Sequence, residues 1–396
     1  MTIGTTPTFA AADLPVAESR DAAWELVGRC PLAVVDDGYA VTGRALVEEV
    51  LKDPVMFSSK TAFGVLSCPV PLVPLALDPP EQTRYRRILQ PLFSPRMITP
   101  HEPELRRRAA GLIEPIAERG HCDFIAEVAA VFAADAFFTV VGLPSDMRHQ
   151  FVEWKDGVLG RAAPSASVTS DAEAARNGLQ AAAELFDCLA GLVRQRRVRL
   201  GNSDDVLTRL LKLSGPDALT DDDVIGVCFL LVLAGVDTVK DALGFGMQRL
   251  AENADKRQEL VDDPSLIAAA TEELLRLDPP SPFVPRVTTA TATLGTTTWP
   301  AGTMISSYLA VANRDEADFP DPQTIDFHRS TNRHTSFGLG PHRCLGAHLA
   351  RLEMQIIYRE WHKRIPRYHI TPGATPRVRW PSGNVGLDCL PLTLEA

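Results

Sequence analysis

From about residue 100 to 275, apolar positions recur at helical spacing through Ala-, Leu-, Glu- and Arg-rich runs such as Asp171–Leu200 and Leu219–Glu252. This stretch is predicted to be α-rich. Across Arg286–Ala312 β-branched residues take over. Thr291, Thr293 and Gly295 mark one extended run, and a second, Thr303–Val311, follows an Ala301–Gly302 turn. The fold class expected is mainly α with a smaller β region. Prolines cluster at Pro69–Pro80, Pro279–Pro285, Pro320–Pro322 and Pro372–Pro381, where helices should stop. They read as joints within a single domain covering residues 1–396, not as a linker.

The segment opening at Leu219 is the best-defined element. Thr220 can N-cap it with Asp223 as the third residue of a capping box, and apolar residues continue for about 30 positions. As one helix that is a rod of about 45–50 Å. Its longest apolar run, Val224–Val236, has 13 residues between Asp223 and Asp237. A membrane span needs about 20. Inside the rod lies Ala234-Gly235-Val236-Asp237-Thr238. A helix-interior Gly costs about 1 kcal/mol relative to Ala, and an acid beside a threonine interrupts the apolar pattern. Either Gly235 is a packing residue and Asp237 faces solvent, or something approaches the backbone there.

Composition narrows the class. With 45% apolar and 23% charged residues the chain can bury a large core, which excludes disorder and fibrous repeats. Forty basic against 50 acidic side chains leave a net charge of −10 and disfavour a broad nucleic-acid surface. The seven cysteines (30, 68, 122, 188, 228, 344 and 389) are odd in number, scattered and never spaced C-x-x-C. They suggest a reducing compartment rather than a disulfide framework or zinc ribbon. The N-terminus shows no basic residue before Arg20 and no apolar h-region. A cytoplasmic protein with no membrane contact is expected.

The chemistry concentrates in Phe337-Gly338-Leu339-Gly340-Pro341-His342-Arg343-Cys344-Leu345-Gly346, ahead of a helical Ala347–Trp361. Loop N–H groups, the helix N-terminus and Arg343 favour negative charge, so the Cys344 thiol is expected to ionise readily. A thiolate is a nucleophile or a metal ligand. A phosphate loop is a weak reading, since Arg343 stands where a third glycine is needed. A zinc site could draw on His328, His334, His342, Cys344 and His348, but no zinc spacing is matched. A nucleophilic cysteine could use His342 as its base. The remaining reading is a lone axial thiolate on haem iron.

Residues 337–346 match the haem-binding signature of the cytochromes P450, F-G-x-G-x-H-x-C-x-G, at every specified position. Ala234–Thr238, the Glu273/Arg276 pair, Ile325–Arg329 and Asp78–Gln82 also match in order and separation. The chain thus resembles that family from about residue 20 onward, and looks most like the soluble bacterial, camphor-hydroxylating type. The resemblance implies the cytochrome P450 fold, with haem b (iron protoporphyrin IX) between the long central helix and the cysteine-loop helix. Cys344 would ligate the iron, and Gln82, Arg86, Arg286 and His342 would hold the propionates. Glu273, Arg276 and Arg329 would form a buried structural triad. Thr238 would hydrogen-bond the dioxygen, Asp237 would relay protons, and Gly235 would leave room for oxygen and substrate.

By the same resemblance the distal pocket draws on Phe63, Leu66, Leu72, Leu230, Leu233, Ala234, Phe283, Val284 and Val385. The apolar character of Lys60–Leu77, which has no Tyr or Trp, favours an uncharged hydrophobic substrate: a terpenoid, norisoprenoid, branched lipid or steroid. No stretch resembles a flavin or iron–sulfur domain, so electrons should come from a ferredoxin with its own reductase. Arg84, Arg86, Arg87, Arg96, Arg106, Arg107 and Arg108, with Arg343 and Arg351, could form its docking face on a monomeric enzyme. A haem-thiolate sensor or a peroxide-using enzyme is the alternative; the Asp237–Thr238 pair favours the monooxygenase.

Overall fold

The computed structural model describes residues 6–36, 38–63, 72–160, 171–201, 203–381 and 383–395. Helices dominate it, and β structure is confined to one six-stranded sheet and three small ones. The large sheet runs in the order Thr8–Phe9, Leu32–Val35, Gly38–Val41, Met304–Tyr308, Phe283–Thr288, Phe57–Ser58. Its centre is the antiparallel pair in which Phe283 faces Tyr308 and Arg286 faces Ile305. The sequence places extended structure here, with two local differences. Strand Phe283–Thr288 begins before Arg286, and the run from Thr303 stops at Tyr308, where Leu309–Ala312 coils into one buried helical turn. Gly295 and Gly302 reverse the chain at φ +60° and +84°, which few other residues tolerate.

The predicted rod is two helices, Asp221–Gly235 and Asp237–Glu252. Its start is as read: Thr220 accepts from the Asp223 N–H at 3.1 Å and Asp223 accepts from the Thr220 N–H at 3.0 Å. The break at Val236 (φ −95°, ψ −53°) follows from two neighbours. Thr238 Oγ1 donates to the Ala234 carbonyl at 3.0 Å, a back-bond that bends helices. On the other side, any Cβ at Gly235 would clash with two carbons at the edge of the Phe137 ring. The helix therefore changes direction where it passes from one apolar cluster to the next. Val224–Val236 pack with Phe137, Phe138, Phe151 and Leu189. Val239–Leu250 pack with Phe124, Tyr358, Trp361 and Tyr368. A third cluster, with Val41, Leu51, Trp299 and Ile305, backs the sheet. Among the described residues no helix is long and apolar enough to cross a membrane.

Candidate active site

The cysteine loop is held at both ends by its own backbone. The Cys344 N–H donates to the Phe337 carbonyl at 2.7 Å and the Gly338 N–H donates to the Thr335 carbonyl at 2.7 Å, ahead of helix Ala347–Arg364. Gly338 and Gly340 sit at φ +66° and +65°. At Gly340 a side chain would collide with the Leu51 carbonyl, whereas one at Gly338 would meet nothing within 4 Å, so that part of the loop faces open space. Cys344 is exposed there, yet the surrounding protein still withholds much of the hydration that a thiolate would have. Its acidity differs from the sequence expectation. Loss of hydration raises its pKa, and the Gly346 N–H, Arg86, Arg351 and Arg343, which all pull the other way, do not overcome it.

Two arginines and a histidine converge beside the loop. Arg286, 4% exposed, has its guanidinium pushed down to about 10 by burial, against the pull of Asp78. Burial likewise lowers Arg86. His342 is pushed down to about 4, by burial first and then by the charges of Arg286 and Arg86, and its buried Nε2 meets no hydrogen-bond partner among the described residues. Gln82 behaves differently: its Nε2 donates to the Pro341 carbonyl at 2.6 Å, tying helix Glu81–Leu89 to the cysteine loop.

Asp237 is buried, which excludes the solvent-facing reading. Its Oδ2 accepts from Lys155 Nζ at 2.6 Å, and Lys240 Nζ lies 3.8 Å from Oδ1. Lys155, 1% exposed, also reaches Asp156 at 2.6 Å. Such an ion pair is held only because each charge compensates the other. Ala234, one turn before Thr238, is exposed although its neighbours Val232, Leu233 and Val236 are buried.

On helix Ile267–Leu277, Glu273 and Arg276 are fully buried and joined by two 2.8 Å hydrogen bonds. Arg329 Nε donates to Glu273 at 3.0 Å, and Asn332, unread in the sequence, donates to it at 2.9 Å. Burial raises the Glu273 pKa, but the bonds and charges of Arg276 and Arg329 lower it more. Arg276 further donates to the carbonyls of Asn313, Pro322 and Thr324, so it pins the meander that leads to the cysteine loop.

The family model described as cytochrome P450 matches residues 258–360. A probable cytochrome P450 127A1 of Sinorhizobium fredii is 35% identical over 343 residues, spanning 85% of this chain and 79% of that protein. The chain belongs to the cytochrome P450 family. The vitamin D(3) 25-hydroxylase of Pseudonocardia autotrophica is 32% identical over 330 residues, 82% of this chain and 78% of that protein. A solved structure of a P450 EryK mutant with erythromycin B matches with TM-score 0.84 at 27% identity, covering 95% of this chain and 97% of that one.

This P450 is a monooxygenase whose cofactor is haem b. Its residues fit that group. Two buried or half-buried arginines and a neutral imidazole gathered without a bonded carboxylate suit a ligand that brings two, since buried charge is tolerated only when paired and the imidazole can donate a hydrogen bond. Of the four side chains the sequence assigned to the propionates, Gln82 and Arg286 each already spend a donor on the protein backbone, on the Pro341 and Pro285 carbonyls.

The residues expected in the distal pocket of this P450 divide among three clusters. Phe63, Leu72, Leu230 and Leu233 pack together, with Leu345 of the cysteine loop in the same group. Leu66 lies outside the described residues. Leu72 and Val385 are 4% and 1% exposed, leaving almost no surface for a ligand; Val385 belongs to the helical core. Phe283 and Val284 point to opposite sides of their strand, as alternation requires. Phe283 stacks on Tyr308 at 5.1 Å and borders a cavity of about 350 Å³ with Asp36 and Trp380, while Val284 packs toward Trp299. Both cannot line one pocket.

The arginine stretch is also less free than its composition suggested. Arg106 pairs with Glu102 and Glu360, Arg107 and Arg108 with Glu104, and Arg87 with Asp217, while Arg84 donates to the Ala218 carbonyl. Arg351 is bound to Glu272. Arg96 and Arg343 stay exposed.

Proposed function

We propose that this P450 hydroxylates or epoxidises an uncharged hydrophobic small molecule, of terpenoid, norisoprenoid, branched-lipid or steroid-like class, using O2 and two electrons from a ferredoxin. The observation that carries the reading is the bend at Val236. It leaves Ala234 exposed within an apolar wall, with Thr238 on the following turn and the buried, lysine-paired Asp237 beside it. An apolar wall selects an uncharged substrate; a hydroxyl and a carboxylate side by side deliver protons. The vitamin D hydroxylase among the relatives supports a bulky apolar substrate.

When bound, haem supplies the activation of O2. The protein's own share is as follows. Cys344 would ligate the iron, Arg86 and Arg286 would pair with the propionates, and His342 would donate a hydrogen bond to them. Thr238 Oγ1, parked on the Ala234 carbonyl, can turn its proton toward the oxygen side. Asp237 resupplies that proton while Lys155 and Lys240 hold its carboxylate in place. Arg96, on a turn packed against the cysteine-loop helix, and Arg343 are the exposed cations for an acidic ferredoxin. Residues 1–396 act as one monomeric catalytic domain; Leu352 touches two of its three apolar clusters.

Spectral titration of the purified protein with a panel of apolar compounds tests the substrate class. Displacement of iron-bound water by steroids and terpenoids but not by charged compounds supports it; selectivity for charged compounds overturns it. A reduced carbon monoxide complex without the thiolate-type red-shifted Soret band would refute Cys344.

A further inference from the structure

Beside the triad, a second and smaller assembly grips the cysteine loop. Glu272 precedes Glu273 on helix Ile267–Leu277 but meets different partners. Its two oxygens accept from Arg351 Nε and from the same guanidinium's NH2 group, each at 2.7 Å. Oε2 also pairs with His334 Nε2 at 3.1 Å. The His334 tautomer follows from its other nitrogen. Nδ1 faces the Ser336 N–H at 3.2 Å and must accept, so Nε2 carries the proton given to Glu272. Burial raises the Glu272 pKa, yet the bonds to His334 and Arg351 hold its carboxyl down at about 2, so the site keeps its negative charge.

Both partners of Glu272 reach the loop. The Arg351 guanidinium lies over the Phe337 ring, 4.3 Å from its centroid, and the His334 ring is tilted against it at 5.9 Å. Phe337 in turn accepts the Cys344 N–H. Arg351 is near enough to Cys344 for its charge to favour the thiolate. Arg351 sits in the second turn of helix Ala347–Arg364, which follows the cysteine loop directly.

We propose that Glu272 is a positioning residue which, through Arg351 and His334, sets the charge felt at Cys344 and so the reduction potential of the iron that Cys344 holds. The inference rests on Cys344 being the iron ligand. Glu272 cancels much of the Arg351 charge. Removing only the negative member leaves a net positive charge beside the thiolate, which stabilises the electron-rich reduced state and raises the potential. Removing only the positive member leaves Glu272 uncompensated and lowers it. Damage to the loop would not produce this opposition of sign. The side chains of Arg351 and Glu272 are 21% and 25% exposed, so solvent and salt weaken the effect without abolishing it.

The test is a dithionite titration of the substrate-free holoprotein with redox mediators at low salt, for Glu272→Gln, Arg351→Gln, Arg351→Lys and the double Gln variant. The expected result is an upward shift for Glu272→Gln and a downward shift for Arg351→Gln, with Arg351→Lys and the double variant close to the unmodified protein. Single variants that shift in the same direction, or not at all, while keeping haem and the red-shifted carbon monoxide band overturn the inference alone. If Glu272→Gln fails to load haem, Arg351→Lys against Arg351→Gln decides, and equal potentials overturn it. An unmodified protein lacking the red-shifted band overturns the Cys344 assignment and this inference with it.

Discussion

Gly235 has two competing explanations, room for oxygen or room for Phe137, and Gly235→Ala separates them. The added methyl would clash with the edge of a ring that is itself 2% exposed and packed edge-on against Phe138 at 5.9 Å. Overpacking of this kind costs about 1–3 kcal/mol. Against it stands the gain in helix propensity, about 1 kcal/mol, and Gly235 has no positive φ that would penalise Ala. The net loss should be roughly 0–2 kcal/mol. The deciding quantity is the coupling to Phe137. Phe137→Leu removes the ring edge, so in that background Gly235→Ala should become neutral or stabilising. Urea unfolding followed by circular dichroism, run as a double-mutant cycle, should return a coupling of about 0.5–3 kcal/mol for residues in contact. Costs that simply add would refute the packing account. Ala234→Leu is the contrasting variant. Residue 234 is the exposed one, so its enlargement should weaken the spectral response to bulky ligands and leave the unfolding midpoint nearly unchanged.

Three further outcomes follow from the buried charges. Arg276→Ala strands Glu273 with only part of its network and should cost about 3–5 kcal/mol, seen as poor expression and low haem content; normal loading would contradict the triad's role. Thr238→Ala should raise hydrogen peroxide formed per electron consumed while haem content holds, measured as peroxide against reductant oxidised; unchanged coupling would remove Thr238 from proton delivery. His362 is buried between the Tyr358 carbonyl and the Tyr368 hydroxyl, and burial pushes its pKa from 6.5 down to about 4. In the unfolded chain it binds its proton from about pH 6.5. Between those values the unfolded state therefore holds more protons, and stability falls as pH drops. His362→Gln should flatten that part of the profile of melting temperature against pH.

What could be read in the sequence was local. The Thr220–Asp223 capping box and the glycine-flanked Cys344 are set by residues a few positions apart, and both stand as read. The pairing of the arginines was legible too, because Glu102 to Arg106 and Glu104 to Arg108 are four apart, the spacing at which helical ion pairs form. Counting charges hid what counting spacing would have shown. Other features had no local signal. Lys155 meets Asp237 across 82 residues and Gln82 meets Pro341 across 259. Lys240, three positions on, gave Asp237 a local partner such as a surface acid would have, and nothing near it in the chain announced the buried Lys155.

The bend at Val236 shows why such long-range partners matter to function. A straight rod would place Asp237 about 100° around from Val236, on a face set by periodicity alone. Instead Phe137 presses on Gly235 from one helix, and Lys155 takes hold of Asp237 from another. The Thr238 hydroxyl meanwhile occupies the Ala234 carbonyl. Each contact removes a reason for the helix to run straight. The cost falls on backbone hydrogen bonding, where the Lys240 N–H reaches the Val236 carbonyl only at 3.5 Å. The proton delivery proposed for Thr238 would draw on the Ala234 carbonyl as a resting partner and on a weakly bonded backbone beside it. The same bend supplies both, so substitutions that straighten the helix should impair coupling even when they touch neither Asp237 nor Thr238.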